Sequence, residues 1–138
     1  MRGRRIAFDY GQSRIGVAIC DPDGILATPL PYIDAKNPKF LREISSLFDE
    51  YEPIRIFLGR PKHLSGAEGE AVAKVDQFKE SLESITSTEI IFIDERLSTV
   101  DAQRKLHEAG KSAKESRSLI DSMAAVAILE SGLAHEVR

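Results

Sequence analysis

Apolar and polar residues alternate through the opening of the chain. Arg5 to Tyr10 reads as one strand, Ile15 to Cys20 as a second and Ile25 to Ile33 as a third, with the turn-forming Asp21-Pro22-Asp23-Gly24 between the last two. Short connections make this an antiparallel meander. The period then changes. Asn37 and Pro38 suit the N-cap and first position of a helix, and Leu41, Ile44, Phe48 and Tyr51 form one apolar stripe that stops before Pro53. Ile54 to Leu58 is a short apolar strand leading into Gly59-Arg60-Pro61, and Glu68 to Leu82 carries helical spacing at Val72, Val75, Phe78 and Leu82. Ile90 to Ile93 reads as a fully buried strand. Ser98-Thr99-Val100-Asp101 matches a capping box, with Ala102, Leu106 and Ala109 on one face and Gly110 as the stop, and Arg117 to Leu133 forms a last helix. Three strands followed by alternating helices and strands predict an α/β fold, a mixed five-stranded sheet flanked by helices on both faces.

The 138 residues fit a single domain spanning 1–138. With 42% hydrophobic and 30% charged residues the composition is that of a soluble globular protein, and no apolar run is long enough to span a bilayer. The basic start, Arg2 to Arg5, is followed by too short an apolar segment for a signal peptide. The single Cys20 cannot form an intramolecular disulfide, which fits a reducing cytoplasm and leaves no cysteine-based metal site. A net charge of −3 weighs against a nucleic-acid ligand, so any such partner must meet a local basic surface. Candidates are Arg2-Arg4-Arg5, Arg60-Lys62-His63, and Arg104-Lys105 through Lys111, Lys114 and Arg117, each of which also reads as an ordinary solvated face.

Three carboxylates stand out. Strand alternation puts Arg5, Ala7 and Asp9 on one face, with Asp9 at the carboxyl end of its strand, where open α/β sheets bind ligands. The plainer alternative is that Asp9 caps the turn at Gly11. Alternation likewise groups Glu95 with Ile91 and Ile93, whereas Asp94 points the other way; here the alternative is an ion pair with Arg96 or Arg60. Asp121 shares a helix face with Ala124, Ala125, Ile128 and Gly132, small and apolar neighbours that imply burial against the sheet. An ionised Asp there needs a cation, either Arg117 one turn before it or a metal shared with the other carboxylates. Oxygen-only ligands select a hard ion, Mg²⁺ or Mn²⁺, and three carboxylates can hold one or two such ions for in-line attack of water on a phosphodiester. The histidines, His63, His107 and His135, lack metal-ligand spacing.

Phe8-Asp9-Tyr10-Gly11 with Arg14-Ile15-Gly16-Val17-Ala18, Leu58-Gly59-Arg60-Pro61 through Gly66 and Glu68-Gly69, Asp94-Glu95-Arg96-Leu97-Ser98-Thr99, and Asp121-Ser122-Met123-Ala124-Ala125 with Ile128-Leu129 occur in this order along nearly the whole chain. Together they resemble the YqgF/RuvX-type family, Holliday-junction resolvase-like proteins described as nucleases that mature the 5′ end of pre-16S ribosomal RNA. The resemblance implies a ribonuclease H-like fold, a place in ribosome biogenesis, catalytic and metal-binding roles for Asp9, Glu95 and Asp121, and precursor rRNA or branched DNA as partner. Ser13 departs from the pattern, which often has Lys there. Arg14, Arg60, Lys62, Arg96 and Arg117 are the expected phosphate contacts. Two other classes compete: a nucleotide-binding ATPase or kinase-like module, which normally needs a second domain, and a non-catalytic RNA-binding assembly factor, against which an aromatic content of 7% weighs. Junction resolution would need two active sites and RNA trimming one, so the oligomeric state stays open.

Overall fold

The computed structural model describes residues 2–61, 67–94 and 113–136, with backbone alone at 67–68, 113–119 and 121. Its elements are β1 (Arg5–Tyr10), β2 (Arg14–Cys20), β3 (Ala27–Asp34), α1 (Phe40–Tyr51), β4 (Arg55–Arg60), α2 (Ala67–Glu83), β5 (Glu89–Asp94) and α3 (Ala113–Glu136). The expected helix between Ser98 and Gly110 lies outside the described residues. The five strands form one sheet in the order β3-β2-β1-β4-β5. β1, β2 and β3 pair antiparallel as a meander, while β4 and β5 run parallel to β1, as strands joined through helices do.

Period-2 alternation sorts the strand side chains onto two faces. Ile6, Phe8, Ile15, Val17, Ile19, Ile33, Ile56 and Leu58 point one way, where they pack with Ile44 of α1 and Val75, Phe78 and Leu82 of α2. The Phe8 ring meets those of Phe48 and Phe78 edge-on and so ties both helices to the central strand. Ala7, Ala18, Cys20, Phe57 and Ile93 point the other way, against Met123, Ala125, Val126, Ile128 and Leu129 of α3. One sheet therefore carries helices on both faces.

Three of the differences from the sequence expectation have a direct physical cause. β3 begins at Ala27 rather than Ile25, because the Asp21 carboxylate accepts the Ile25 and Leu26 amides at 2.8 and 2.7 Å and holds both residues in the turn. The α1 helix begins at Phe40 with Lys39 as N-cap. Asn37 instead forms a separate turn, its side chain accepting the Lys39 amide and its carbonyl the Phe40 amide. The third difference is that β5 is not fully buried: it is an edge strand on which only Ile93 is buried and Phe92 is 37% exposed.

Candidate active site

Asp9 closes β1 on the α3 face, half-buried, one alternation beyond Ala7. It does not cap the following turn: the Gly11 amide donates to the Arg14 carbonyl at 3.0 Å, and a Cβ at Gly11 would lie 2.7 Å from that oxygen. Backbone alone thus closes the hairpin. Among the described residues no hydrogen bond or ion pair engages the Asp9 carboxylate. Gly16 is its cross-strand partner on β2, and the β1–β4 register, Phe8 opposite Leu58, brings Gly59 level with it on the other side. Paired residues project to one face, so neither neighbouring strand puts a side chain beside the carboxylate.

The α3 helix is fixed over this face at two points. Ser122 is fully buried, and its hydroxyl donates to the Leu30 carbonyl and accepts the Val17 amide at 3.1 Å. These two backbone groups border a bulge at which the pairing slips from Ile15–Ile33 to Val17–Leu30, so that Pro31 and Tyr32 together oppose Gly16. A bulge leaves ladder groups unpaired, and the hydroxyl satisfies them. At the carboxyl end of α3, Glu136 binds the guanidinium groups of Arg5, at 2.6 Å, and Arg55. Both arginines stand at the starts of their strands. Burial pushes the Glu136 carboxyl up, but the hydrogen bonds and charges of Arg5 and Arg55 outweigh it and hold the group below its ordinary value. Between these anchors the helix needs to lie close to the sheet. Gly132 allows it, since a Cβ there would meet the Phe57 ring at 2.6 Å.

Position 121 therefore sits on the helical stripe that carries Ala125, Ile128 and Gly132, one residue before the hydroxyl that grips Val17, the neighbour of Asp9's partner Gly16. Helix and strand bring positions 9 and 121 to one end of one face. β5 also contributes to this face, with Ile91 and Ile93 packed on the α3 side. Glu95, Lys62 and Arg96 lie outside the described residues, as do the side chains of Asp121 and Arg117, and among the described residues no group of three metal-ligating side chains gathers.

The described basic residues divide between the faces. Arg14 is exposed on the α3 side, its guanidinium 5.0 Å from the centre of the Tyr32 ring. Arg60 is not brought to Asp9: it follows Ile56 and Leu58 onto the opposite face, where it pairs with Asp76 of α2 at 3.2 Å and lies over the Phe92 ring. The alternation Ile56-Leu58-Arg60 already carried that signal. Sequence reasoning also passed over Ser122 and Tyr32. A hydroxyl inside an otherwise apolar helix was the available sign for the first, and alternation with Ile33 the sign for the second.

Residues 3–135 match the family described as "RuvX: Holliday junction resolvase". A protein of Streptomyces coelicolor named "Putative pre-16S rRNA nuclease" is 46% identical over 137 residues, 98% of this chain and 82% of that protein. A Mycobacterium tuberculosis protein of the same name is 42% identical over 134 residues, 96% of this chain and 79% of its own length. Among solved structures, Thermus thermophilus RuvC in complex with a Holliday junction substrate superposes with a TM-score of 0.58 at 11% identity, covering 97% of this chain and 96% of RuvC. That likeness shows the fold, which is ribonuclease H-like α/β.

Proposed function

Because the chain belongs to the RuvX family of nucleases, we propose that it hydrolyses phosphodiester bonds in precursor 16S ribosomal RNA, with Asp9, Glu95 and Asp121 holding one or two divalent metal ions. The observation that carries this is the Asp9 carboxylate, half-buried at the carboxyl end of the central strand, without a partner among the described residues, and flanked by glycine on both neighbouring strands. A structural aspartate in that position would be bonded. The residues fit a hard cation: the donors are carboxylate oxygens, and the glycines leave room beside them for water and a phosphate. Once bound, the ion supplies Lewis acidity, making water a competent nucleophile near neutral pH and offsetting charge that develops on the leaving oxygen.

The protein's own part is to hold and orient. Asp9 stands on the rigid central strand, whereas Asp121 depends on the placement of α3, so Ser122 and Glu136 set its distance from the strand. Arg14 on the site face, with Lys62, Arg96 and Arg117, would grip the substrate backbone on either side of the scissile bond, since guanidinium and ammonium groups pair with phosphate. Arg60, engaged with Asp76, serves better as the anchor of β4 where the chain leaves for the Lys62 segment. The work would belong to 5′-end maturation in ribosome biogenesis, a reading for which the relatives' name supports the pre-16S rRNA substrate.

The test is cleavage of a 5′-extended 16S precursor fragment. The wild type should cut with Mg²⁺ or Mn²⁺ and stop in excess EDTA, and Asp9→Asn should fall below detection in either. Full activity in EDTA would sink the metal proposal. The family description favours branched DNA as the second substrate, so a four-way junction belongs in the same assay.

A further inference from the structure

We propose that Tyr32 and Arg14 form a ledge on which an unpaired nucleobase of the substrate stacks, beside the phosphate held at Asp9. The proposal rests on the nuclease reading of Asp9. Tyr32 is 38% exposed, one of few large aromatic or aliphatic side chains so open among the described residues. Its direction follows from its neighbour: Ile33 points into the core under α1 and α2, so alternation turns Tyr32 to the other face, where its ring meets Arg14, whose neighbour Ile15 points into that same core. The bulge then lets Pro31 and Tyr32 share the single partner Gly16. Tyr32 therefore lies on the α3 face, on the same cross-strand row as Gly16 and Asp9.

The row gives the spacing. β3 is two strands from β1, and at about 4.8 Å per strand the Tyr32 and Asp9 backbones stand about 10 Å apart. Only Gly16 lies between them, so no side chain on β2 fills the gap. A ring partnered by a guanidinium plane to one side of the Asp9 carboxylate matches how proteins take up unpaired bases, which stack on aromatic faces and on arginine. Bases inside a duplex are already stacked and cannot use it. The ledge would thus favour single-stranded RNA over a paired helix, with the Arg14 charge drawing the adjoining phosphate. Ser122 belongs to the same device, because it staples the backbone on one side of the bulge through Leu30.

The chain has no tryptophan, so Tyr32→Trp places a unique fluorophore on the ledge. In EDTA, where binding is read without cleavage, an unstructured RNA oligonucleotide should quench its emission and a fully paired RNA of equal length should not. In parallel, Tyr32→Ala should bind the single strand roughly five- to a hundred-fold more weakly than wild type, with duplex affinity and salt dependence unchanged. Equal quenching by both RNAs, or equal loss of both affinities, would overturn the ledge. The two readings fail differently: a wild type that binds RNA but never cuts it with metal loses the nuclease assignment while the stacking comparison still decides the ledge. A wild type that binds no RNA loses both.

Discussion

Ser122 shows how much one hydroxyl can determine. It sits where α3 meets the bulge, and replacing it by alanine would leave the Val17 amide and the Leu30 carbonyl buried without partners. Each such loss typically costs about 1–3 kcal/mol. We expect Ser122→Ala to lower stability by about that amount in urea unfolding and to raise the metal concentration needed for half-maximal cleavage, because position 121 is the next residue. Unchanged stability would show that water replaces the hydroxyl. Residue-level chemistry was only partly legible in the sequence. Alternation found the face of Asp9, since Arg5, Ala7 and Asp9 need nothing but a regular strand. Arg60 was grouped with the phosphate contacts by its charge and loop setting, although its own alternation pointed to α2 and Asp76. Alternation from Ile33 assigns Tyr32 its face, but not that of Leu30, because a one-residue slip between β2 and β3 reverses the face that a period of two assigns beyond the bulge.

At the scale of elements, α3 is held at two points, within its length by Ser122 and at its carboxyl end by Glu136, and the second anchor carries a pH dependence. Glu136 is ionised between Arg5 and Arg55, with only 14% of its side chain exposed. Its folded pKa lies below its ordinary value, so the stability it contributes is present above the unfolded value of about 4.3 and is lost as pH falls through the folded one. Breaking a buried pair by removing one charge costs about 3–5 kcal/mol. Glu136→Gln should therefore melt well below wild type at pH 7, and the gap should close as the pH drops below about 4 in paired thermal scans. A constant gap would mean that packing rather than charge anchors the helix. The elements themselves were legible where local chemistry decides them: β1 runs from Arg5 to Tyr10 as its pattern predicts, and Val72, Val75, Phe78 and Leu82 all turn inward on α2. What local chemistry does not decide was misread. An apolar run such as Ile90 to Ile93 is the same whether its strand lies in the middle of a parallel sheet or at its edge, and only the strand order puts β5 outside. The opposite edge is β3, where Pro29 and Pro31 lack amides to offer another strand, a common guard against edge-to-edge association.

Over the whole molecule the two faces of the sheet divide the work. The face under α1 and α2 holds the larger aromatic core, with Phe8 and Phe78 at its centre, and has the hallmarks of a scaffold. The face under α3 is built from smaller residues, Ala7, Ala18 and Ala125, with Gly132 against Phe57, and it ends at Asp9. Small residues bring the helix near the sheet, and such nearness is what the proposed sharing of an ion between carboxylates of separate elements requires. With a net charge of −3, the proposed phosphate ligand would have to be drawn by local cations such as Arg14 rather than by the protein as a whole. The central claim is that Asp9, Glu95 and Asp121 are ligands of a shared metal rather than structural ion-pair partners. Thermal melts of wild type and Asp121→Asn, each in EDTA and in Mg²⁺, test it most directly. Metal-free Asp121→Asn should match wild type or exceed it by on the order of 1 kcal/mol, because crowded carboxylates repel, and Mg²⁺ should stabilise wild type much more than the variant. A loss of about 3–5 kcal/mol in EDTA, with the same response to Mg²⁺ as wild type, would instead make Asp121 the buried partner of an arginine and contradict the shared-metal site.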